Sequence, residues 1–275
     1  MKQYAIIGHP IGHTLSPPIH RRLFELVGVT DFEYLIKDIP PERLEDSFAE
    51  LKTLAGFNIT IPHKINIIKM CDELDDSAKR YNSVNCISVG EKTVGYNTDC
   101  VGFNLTVKML GADNAQRVML LGCGGVGRMA AIETVLRNAK LTVAVRPDDV
   151  PVAKALCEEL NALKPDSADY CLLADASGEY DLIVNATPVG MSPNIDASPL
   201  GDEALARISA GCFFDLIYNP GETKLMKLMK AKGAKVCGGM NMLVWQAVAA
   251  HEIWDGSSYD LADIEQLVRD MEALV

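Results

Sequence analysis

The sequence predicts an α/β protein of two domains, and three observations support this. The chain has 275 residues, which is enough for about two domains. From Arg117 onward, short apolar runs alternate with segments of helical periodicity, the pattern of a parallel, doubly wound sheet. A glycine-rich turn over residues 122–127 lies between one such apolar run and the helical segment that follows it.

The N-terminal part of the chain also alternates strands and helices. Ser16 is expected to cap a helix that has Pro17 as its first residue and ends at Gly28. The other elements predicted before residue 100 are strands over 4–7 and 32–39, helices over 42–54 and 65–74, a strand around Asn58, and a hairpin formed by 86–89 and 93–96.

The second part of the chain has the more regular pattern. Strands are expected over 118–121, 141–145, 170–173, 182–185, 212–217 and 235–237. Helices are expected over 101–110, 126–137, 152–163, 202–208 and 223–232, and near the C-terminus over 240–254 and 261–274. The last two helices are more than the sheet needs, so we expect them to return to the first domain. The predicted domains are therefore 1–104 completed by 239–275, and 105–238.

Composition and charge limit the function classes. Hydrophobic residues make up 48% of the chain, as in ordinary globular proteins. The net charge of -11 argues against a nucleic-acid or anionic-membrane surface, because such surfaces need basic patches. The sequence has no apparent signal peptide or membrane-spanning run, and its eight cysteines are scattered without a Cys-x-x-Cys pair. These features predict a cytoplasmic protein with reduced thiols.

Residues 122–127 read Gly-Cys-Gly-Gly-Val-Gly between a strand and a helix, which is typical of a Rossmann dinucleotide-binding turn. Gly122 permits the tight turn, Gly124 lets the backbone approach a pyrophosphate, and Gly127 allows close contact between helix and strand. The helix N-terminus favours the anion. A glycine-rich turn without a ligand is the less favoured interpretation, because a strand and a helix flank the motif as expected.

The tip of the next strand is where a Rossmann domain distinguishes NAD from NADP. Arg146 lies there and suits the 2′-phosphate of NADP. Asp148 and Asp149 follow closely, and they would repel that phosphate if they faced it. A solvated loop cation is an equally good interpretation of Arg146.

Two polar clusters in the first domain indicate a site for a small polar molecule. Asn58 and Thr60 alternate with apolar residues, so both side chains point to one face of a strand, and Lys64 follows just past its end. Residues 96–99, Tyr-Asn-Thr-Asp, form the second cluster. An ammonium, a carboxylate and a nucleotide turn together suggest proton transfer coupled to hydride transfer.

Residues 8–20 are also dense in polar side chains. Thr14 and Ser16 place hydroxyls just before a helix N-terminus, which suits a carboxylate, whereas helix capping would explain Ser16 alone. Metal binding by His9, His13 and His20 is disfavoured, because their spacing fits no common motif.

Taken together, these segments resemble the shikimate dehydrogenases and their quinate/shikimate relatives over nearly the whole chain. The motifs that carry the resemblance, in chain order, are Gly-x-Pro-Ile-x-His-Thr-x-Ser-Pro (8–17), Phe-Asn-Ile-Thr-Ile-Pro-x-Lys (57–64), Ser-Val-Asn (83–85), Gly-Tyr-Asn-Thr-Asp-x-x-Gly (95–102), Gly-x-Gly-Gly-x-Gly-Arg (122–128), Asn-Ala-Thr-Pro-x-Gly-Met (185–191), Asp-Leu-Ile-Tyr-Asn-Pro (215–220) and Gly-Met-x-Met-Leu-x-x-Gln (239–246).

The resemblance implies reversible, NADP-linked reduction of 3-dehydroshikimate to shikimate in aromatic amino-acid biosynthesis. It implies that Lys64 and Asp99 form the catalytic pair. The substrate contacts it implies are Thr14, Ser16, Asn58, Thr60, Lys64, Asn85, Asp99, Tyr218 and Gln246. The cofactor contacts it implies are Gly122, Gly124, Gly125, Val126, Gly127, Arg146, Thr187, Met191, Gly239 and Met240. We expect no metal, and a monomer or a homodimer.

The chemistry agrees with these roles. Hydride addition to a ketone builds negative charge on the oxygen, and a nearby ammonium stabilises that charge and can supply the proton. Asp99 beside Lys64 would orient the ammonium and keep it charged. The alternative interpretation, a surface salt bridge without a role, is disfavoured because both residues lie inside polar clusters.

Three positions depart from the family pattern. Thr14 stands where the family usually has serine, and its extra methyl bears on the choice between shikimate and quinate. Val145-Arg146-Pro147 replaces the usual Asn-Arg-Thr, which bears on the choice between NADP and NAD. Gly127-Arg128 replaces Ala-Arg and restores the plain Rossmann glycine.

Three alternatives stay open beside an NADP-linked shikimate dehydrogenase. One is a quinate or dual quinate/shikimate dehydrogenase that accepts NAD. Another is an NADP-binding sensor module without turnover, which has no need of Lys64 and Asp99. The third is another enzyme of similar shape, such as a folate dehydrogenase, although the hydroxyl-rich site suits a polyhydroxylated acid better than a flat pterin.

Overall fold

The computed structural model describes residues 1–12 and 14–275 and divides into two compact units. The first unit comprises Met1–Gly102 and Val244–Ala273, and the second comprises Phe103–Leu243 and Leu274–Val275. Each unit contains a six-stranded sheet. His13, which the sequence analysis considered as a metal ligand, lies outside the described residues.

The first unit begins with a mixed sheet. Its strands are β1 (Lys2–Gly8), β2 (Phe32–Asp38), β3 (Gly56–Ile59), β4 (Glu73–Leu74), β5 (Cys86–Val89) and β6 (Thr93–Tyr96), and its helices in this part are α1 (Ser16–Leu26), α2 (Leu44–Leu51) and α3 (Asp76–Tyr81). The strand order is β2-β1-β3-β5-β6-β4. β1 pairs in parallel with β2 and β3, whereas β5 pairs antiparallel with β3 and β6, so the predicted hairpin is present.

The helix predicted over 65–74 is wrong. A short 3-10 helix, Asn66–Met70, is followed by β4 at the edge of the sheet, and then by α3, which the sequence analysis missed. The Asp72 carboxylate accepts hydrogen bonds from the backbone and hydroxyl of Thr93, which holds this segment against β6. Asp75 caps α3 by accepting from the Ser77 backbone N–H. An aspartate two residues before a serine is an N-cap signal that the sequence did offer.

Two helix starts also differ from the sequence prediction. Ser16 is the first residue of α1 rather than its N-cap, and its backbone N–H instead donates to Thr14 Oγ1 at 3.1 Å. α2 begins at Leu44 after a 3-10 turn at Pro41–Arg43. The predicted stop of α1 is close to the observed one, since Gly28 follows the helix with a φ of +72° that favours glycine.

The second unit contains a fully parallel sheet. After α4 (Asp99–Met109) come β7 (Arg117–Leu121), α5 (Gly125–Leu136), β8 (Lys140–Val145), α6 (Val150–Leu163), β9 (Ala168–Leu172), β10 (Gly178–Asn185), α7 (Asp202–Arg207), β11 (Ile208–Asp215), α8 (Lys224–Ala231) and β12 (Lys235–Cys237). The strand order is β12-β11-β10-β7-β8-β9. The order reverses between β7 and β10, and in open parallel sheets ligands bind where the order reverses.

The last two helices, α9 (Met240–Asp255) and α10 (Leu261–Glu272), complete the chain. Within the first unit, the Trp254 indole donates a 2.9 Å hydrogen bond to the Ile87 carbonyl. A Cβ added at Gly56 would collide with that indole, so glycine at position 56 is what lets the ring lie against the sheet.

All eight cysteines carry free thiols. Within residues 1–12 and 14–275, no helix combines the length and the apolar character needed to cross a bilayer.

Candidate functional site

Lys64 and Asp99 form an ion pair in the first unit. Lys64 Nζ donates a 2.6 Å hydrogen bond to Asp99 Oδ2, and the two side chains are 22% and 13% exposed. An exposed surface pair would be freely solvated, whereas this one is mostly shielded and keeps only a small opening to solvent. The ammonium is therefore held in a fixed place where a small molecule can still reach it.

Asn85 fixes the second oxygen of the Asp99 carboxylate. Its amide nitrogen donates to Asp99 Oδ1 at 2.8 Å and to Thr98 Oγ1 at 3.0 Å. Its amide oxygen accepts from the Thr98 backbone N–H at 2.7 Å. Asn97 adds a further constraint by accepting from the Asp99 backbone N–H at 3.1 Å. Both carboxylate oxygens of Asp99 are thus occupied, which sets the orientation of the ion pair.

The backbone brings these segments together. The Val84 N–H donates to the Lys64 carbonyl at 2.8 Å, and the Asn85 N–H donates to the Tyr96 carbonyl at 3.0 Å. The residues after β3, before β5 and after β6 therefore meet at one end of the mixed sheet. Sequence reasoning gave roles to Lys64, Asn85 and Asp99, whereas it included Thr98 only as a member of the polar cluster at 96–99.

The other predicted substrate residues of the first unit lie on neighbouring segments. Asn58 is 4% exposed on β3, and Thr60 follows that strand, with its backbone N–H donating to the Ile7 carbonyl at 2.9 Å. Thr14 Oγ1 donates to Ser16 Oγ at 3.1 Å. Gln246 on α9 is buried and accepts from Thr98 Oγ1 at 3.4 Å.

Tyr218 belongs to the second unit, where it follows β11 and is half-buried. Burial raises the pKa of its phenol above the usual 10.0, so the side chain stays protonated and available as a hydrogen-bond donor.

In the second unit, the turns after β7 and β10 touch each other. The two strands are paired in parallel, with Leu121 opposite Asn185. Gly122 has a φ of +87°, and a Cβ there would lie 2.8 Å from the Thr187 methyl. A Cβ at Gly127 would lie 2.8 Å from the Gly122 carbonyl oxygen. Both glycines are required by these close approaches, which occur where the strand order reverses.

The first turn of α5 is suited to an anion. Gly124 is its N-cap and offers no side chain, so the amides of the first turn have no side-chain acceptor at the cap. A Cβ added at Gly124 or Gly125 would meet nothing within 4 Å, so these glycines leave the backbone open rather than fill a packing need. Exposed amides at a helix N-terminus fit the pyrophosphate of a dinucleotide.

A buried carboxylate organises the turn that contains Thr187. Asp215 Oδ1 accepts from Asn185 Nδ2 at 3.0 Å, and Asn185 Oδ1 accepts from the Thr187 hydroxyl at 2.7 Å. Asp215 Oδ2 accepts from Thr223 Oγ1 at 2.7 Å. Burial raises the pKa of Asp215 to about 6 despite these hydrogen bonds. Sequence reasoning included Asp215 only as a motif member and gave it no role.

Arg146 follows β8 and is paired within its own turn. Its guanidinium contacts Asp149 Oδ2 at 3.0 Å, and the arginine side chain is 69% exposed. The cation expected to meet a 2′-phosphate is therefore partly neutralised by a neighbouring carboxylate.

The remaining predicted cofactor residues surround the same strand ends of the second unit. Met191 is 46% exposed in the loop after Thr187. The Gly239 N–H donates to the Ile217 carbonyl at 2.9 Å, and Gly239 approaches the Leu216 carbonyl too closely for any side chain. Met240 begins α9 and is buried.

Sequence comparison agrees with this architecture. A family model for the shikimate dehydrogenase substrate binding domain matches residues 6–87. Over 275 residues, the chain is 34% identical to the shikimate dehydrogenase (NADP(+)) of Caldanaerobacter subterraneus subsp. tengcongensis, with 98% of this chain and 96% of the relative covered. The chain belongs to the shikimate dehydrogenase family. The family inferred from the sequence motifs is thereby confirmed.

Solved structures show the same fold. Shikimate 5-dehydrogenase from Thermus thermophilus, in complex with NADP(H) and shikimate, is 32% identical with a TM-score of 0.87, covering 98% of this chain and 99% of that one. The Listeria monocytogenes shikimate 5-dehydrogenase, in complex with shikimate and NAD, is 25% identical with a TM-score of 0.86, covering 97% and 96%. The predicted α/β fold class is confirmed.

Proposed function

We propose that this protein is a shikimate dehydrogenase, which reduces 3-dehydroshikimate to shikimate reversibly with NADPH. The observation that carries the proposal is the shielded Lys64–Asp99 pair, joined at 2.6 Å among hydroxyl and amide side chains in a chain of this family. A binding module without turnover has no use for an oriented proton donor, so the pair favours an enzyme over a sensor.

Lys64 is the proposed proton donor. NADPH, when bound, supplies the hydride to the carbonyl carbon of the substrate. The Lys64 ammonium lies beside the carbonyl oxygen, stabilises the negative charge that develops there, and donates the proton that completes the hydroxyl. Asp99 accepts one N–H of that ammonium, and Asn85 holds Asp99 from its other oxygen. In the oxidation direction, neutral Lys64 accepts the hydroxyl proton.

The substrate is proposed to bind through hydroxyls and amides. Thr14 and Ser16 would donate to its carboxylate, helped by the N-terminus of α1. The ring hydroxyls would be bound by Asn58, Thr60, Asn85, Asp99 and Gln246. Tyr218 is also proposed as a substrate contact.

The dinucleotide is proposed to bind at the strand ends of the second unit. Gly122, Gly124, Gly125, Val126 and Gly127 would hold the pyrophosphate through backbone amides. Arg146 would bind the 2′-phosphate. Thr187 and Met191 would line the cofactor side, and Gly239 and Met240 would lie beside the nicotinamide.

A second candidate is a quinate or dual quinate/shikimate dehydrogenase that accepts NAD. The Arg146–Asp149 contact favours NAD, because the 2′-phosphate of NADP must compete with a carboxylate for the guanidinium. The additional methyl of Thr14 bears on the choice between the two acids.

Initial rates with shikimate or quinate, each paired with NADP or NAD, test both candidates. We expect shikimate with NADP to give the highest kcat/KM. Dominance of quinate or NAD would replace the first candidate by the second. Absence of turnover in all four pairings, together with retained NADP binding, would replace both by a sensor module. Size-exclusion chromatography of the same preparation would distinguish a monomer from a homodimer.

A further inference from the structure

Tyr34 is hydrogen-bonded to Asn58, one of the proposed substrate-binding residues. It is on β2, an edge strand of the first sheet, and its hydroxyl donates a 2.7 Å hydrogen bond to Asn58 Oδ1. The phenol oxygen of Tyr34 is therefore tied directly to the side-chain amide of Asn58.

This contact decides which end of the Asn58 amide is available. Because the phenol donates to Oδ1, the carbonyl end is occupied. The Nδ2 end is directed to the Asn85 carbonyl at 3.4 Å, which is long for a hydrogen bond. Among residues 1–12 and 14–275, the second N–H of this amide has no acceptor. Asn58 thus presents a donor. In the absence of the Tyr34 hydroxyl, the amide could turn over and present its carbonyl instead.

The Tyr34 phenol is suited to act as a fixed hydrogen-bond donor to Asn58. Burial keeps the pKa of Tyr34 well above 10.0, so the hydroxyl remains a donor at any pH where the protein works. The ring stacks on His20, with centroids 4.2 Å apart and an interplanar angle of 10°. His20 Nδ1 in turn lies 3.0 Å from His251 Nε2 on α9. The stacking on His20 helps to fix the tyrosine ring.

We propose that Tyr34 is a positioning residue, which fixes the Asn58 amide with its N–H toward a substrate hydroxyl. This inference rests on the proposed function, since it assigns the polarity of one contact to a polyhydroxylated acid. It adds that the hydroxyl facing Asn58 is bound as a hydrogen-bond acceptor, so that its own proton is directed elsewhere.

A double-mutant cycle between Tyr34 and Asn58 tests the proposal. The proteins are wild type, Tyr34→Phe, Asn58→Ala, and the double variant, with Tyr4→Phe as a control. Tyr4 is a buried tyrosine of the first unit, and its ring packs on Phe24 and Trp254. KM and kcat are measured for shikimate and for NADP.

We expect Tyr34→Phe to raise KM for shikimate roughly tenfold, with little change in kcat or in KM for NADP. In the Asn58→Ala background, the same change should alter KM for shikimate by less than about twofold, because the amide to be oriented is gone. Tyr4→Phe should leave the kinetic constants at wild-type values.

Two results would overturn the inference while leaving the proposed function intact. One is an unchanged KM for shikimate in Tyr34→Phe. The other is an equal rise in both Asn58 backgrounds, which would mean that Tyr34 acts through the fold and not through the amide. A wild-type protein without shikimate turnover would overturn the proposed function and this inference together, so the failures are distinguishable.

Discussion

Lys64 Nζ and Asp99 Oδ2 are joined by a 2.6 Å hydrogen bond, although 35 positions separate the two residues in the sequence. The backbone explains the contact, because the Val84 N–H donates to the Lys64 carbonyl and the Asn85 N–H donates to the Tyr96 carbonyl. These two bonds bring the segment after β3 beside the segment after β6. The ion pair is therefore a product of sheet pairing, and its catalytic role can be tested at either partner.

Replacing Lys64 by alanine removes the proposed proton donor. We expect kcat for shikimate to fall roughly a hundredfold to ten-thousandfold, with Kd for NADP changed by less than about threefold. Lys69→Ala is the matched control, because Lys69 is an exposed lysine of the same unit that pairs with Glu45. Turnover of Lys64→Ala close to that of Lys69→Ala would show that Lys64 is not the proton donor.

The Arg146–Asp149 pair predicts how cofactor preference responds to charge. Arg146→Ala should weaken the binding of NADP more than that of NAD, since only NADP carries the 2′-phosphate. Asp149→Asn should lower KM for NADP about two- to fivefold by releasing the guanidinium, and leave KM for NAD unchanged. Asp148→Asn removes the same charge from the same turn without breaking the pair. If the two asparagine variants changed KM for NADP equally, the ion pair would not control the choice between NADP and NAD.

The buried histidine pair predicts that the protein loses stability at acid pH. Burial, and to a smaller extent the charge of the other histidine, lowers the pKa of His20, and burial lowers that of His251 to about 4 although Asp255 opposes the shift. As pH falls from 6.5 toward 4, these histidines become protonated in the unfolded chain but stay neutral in the folded chain. The free energy of unfolding therefore decreases as the pH decreases.

His251→Phe should therefore reduce the loss of unfolding free energy between pH 7 and pH 4 by about 3 kcal/mol. Urea titrations of both proteins across that range measure the difference. If the free energy of unfolding changed with pH by the same amount in wild type and in His251→Phe, His251 would not remain neutral in the folded chain.

Asp215 predicts the opposite dependence of stability on pH. Its pKa is raised from 3.8 to about 6, chiefly by burial, so the folded chain holds a proton that the unfolded chain has lost. The stability that this group contributes is complete below pH 3.8 and is lost as pH rises through 6. Asp215→Asn should be less stable than wild type at low pH, and the deficit should shrink by about 3 kcal/mol between pH 4 and pH 7. A constant deficit across that range would contradict the raised pKa.

Local signals predicted most of the second unit. Each predicted strand there overlaps an observed one, because parallel strands buried on both faces appear as short apolar runs between helical segments. Gly122 and Gly127 were also identifiable, since a positive φ and close backbone approaches admit no other residue. The failure over 65–74 arose where the Asp72 carboxylate bonds to Thr93 and overrides the apolar periodicity.

The sequence by itself determined the family, the alternation of strands and helices, and the residue types of the proposed site. Those features depend on neighbours within a few positions, or on motifs whose order is visible in the chain. The tertiary structure alone decided that Arg146 turns to Asp149, that Tyr34 donates to Asn58, and that His20 meets His251 across 231 positions. Such contacts depend on which side chains strand pairing and helix packing bring within hydrogen-bond distance, and no local pattern encodes that distance.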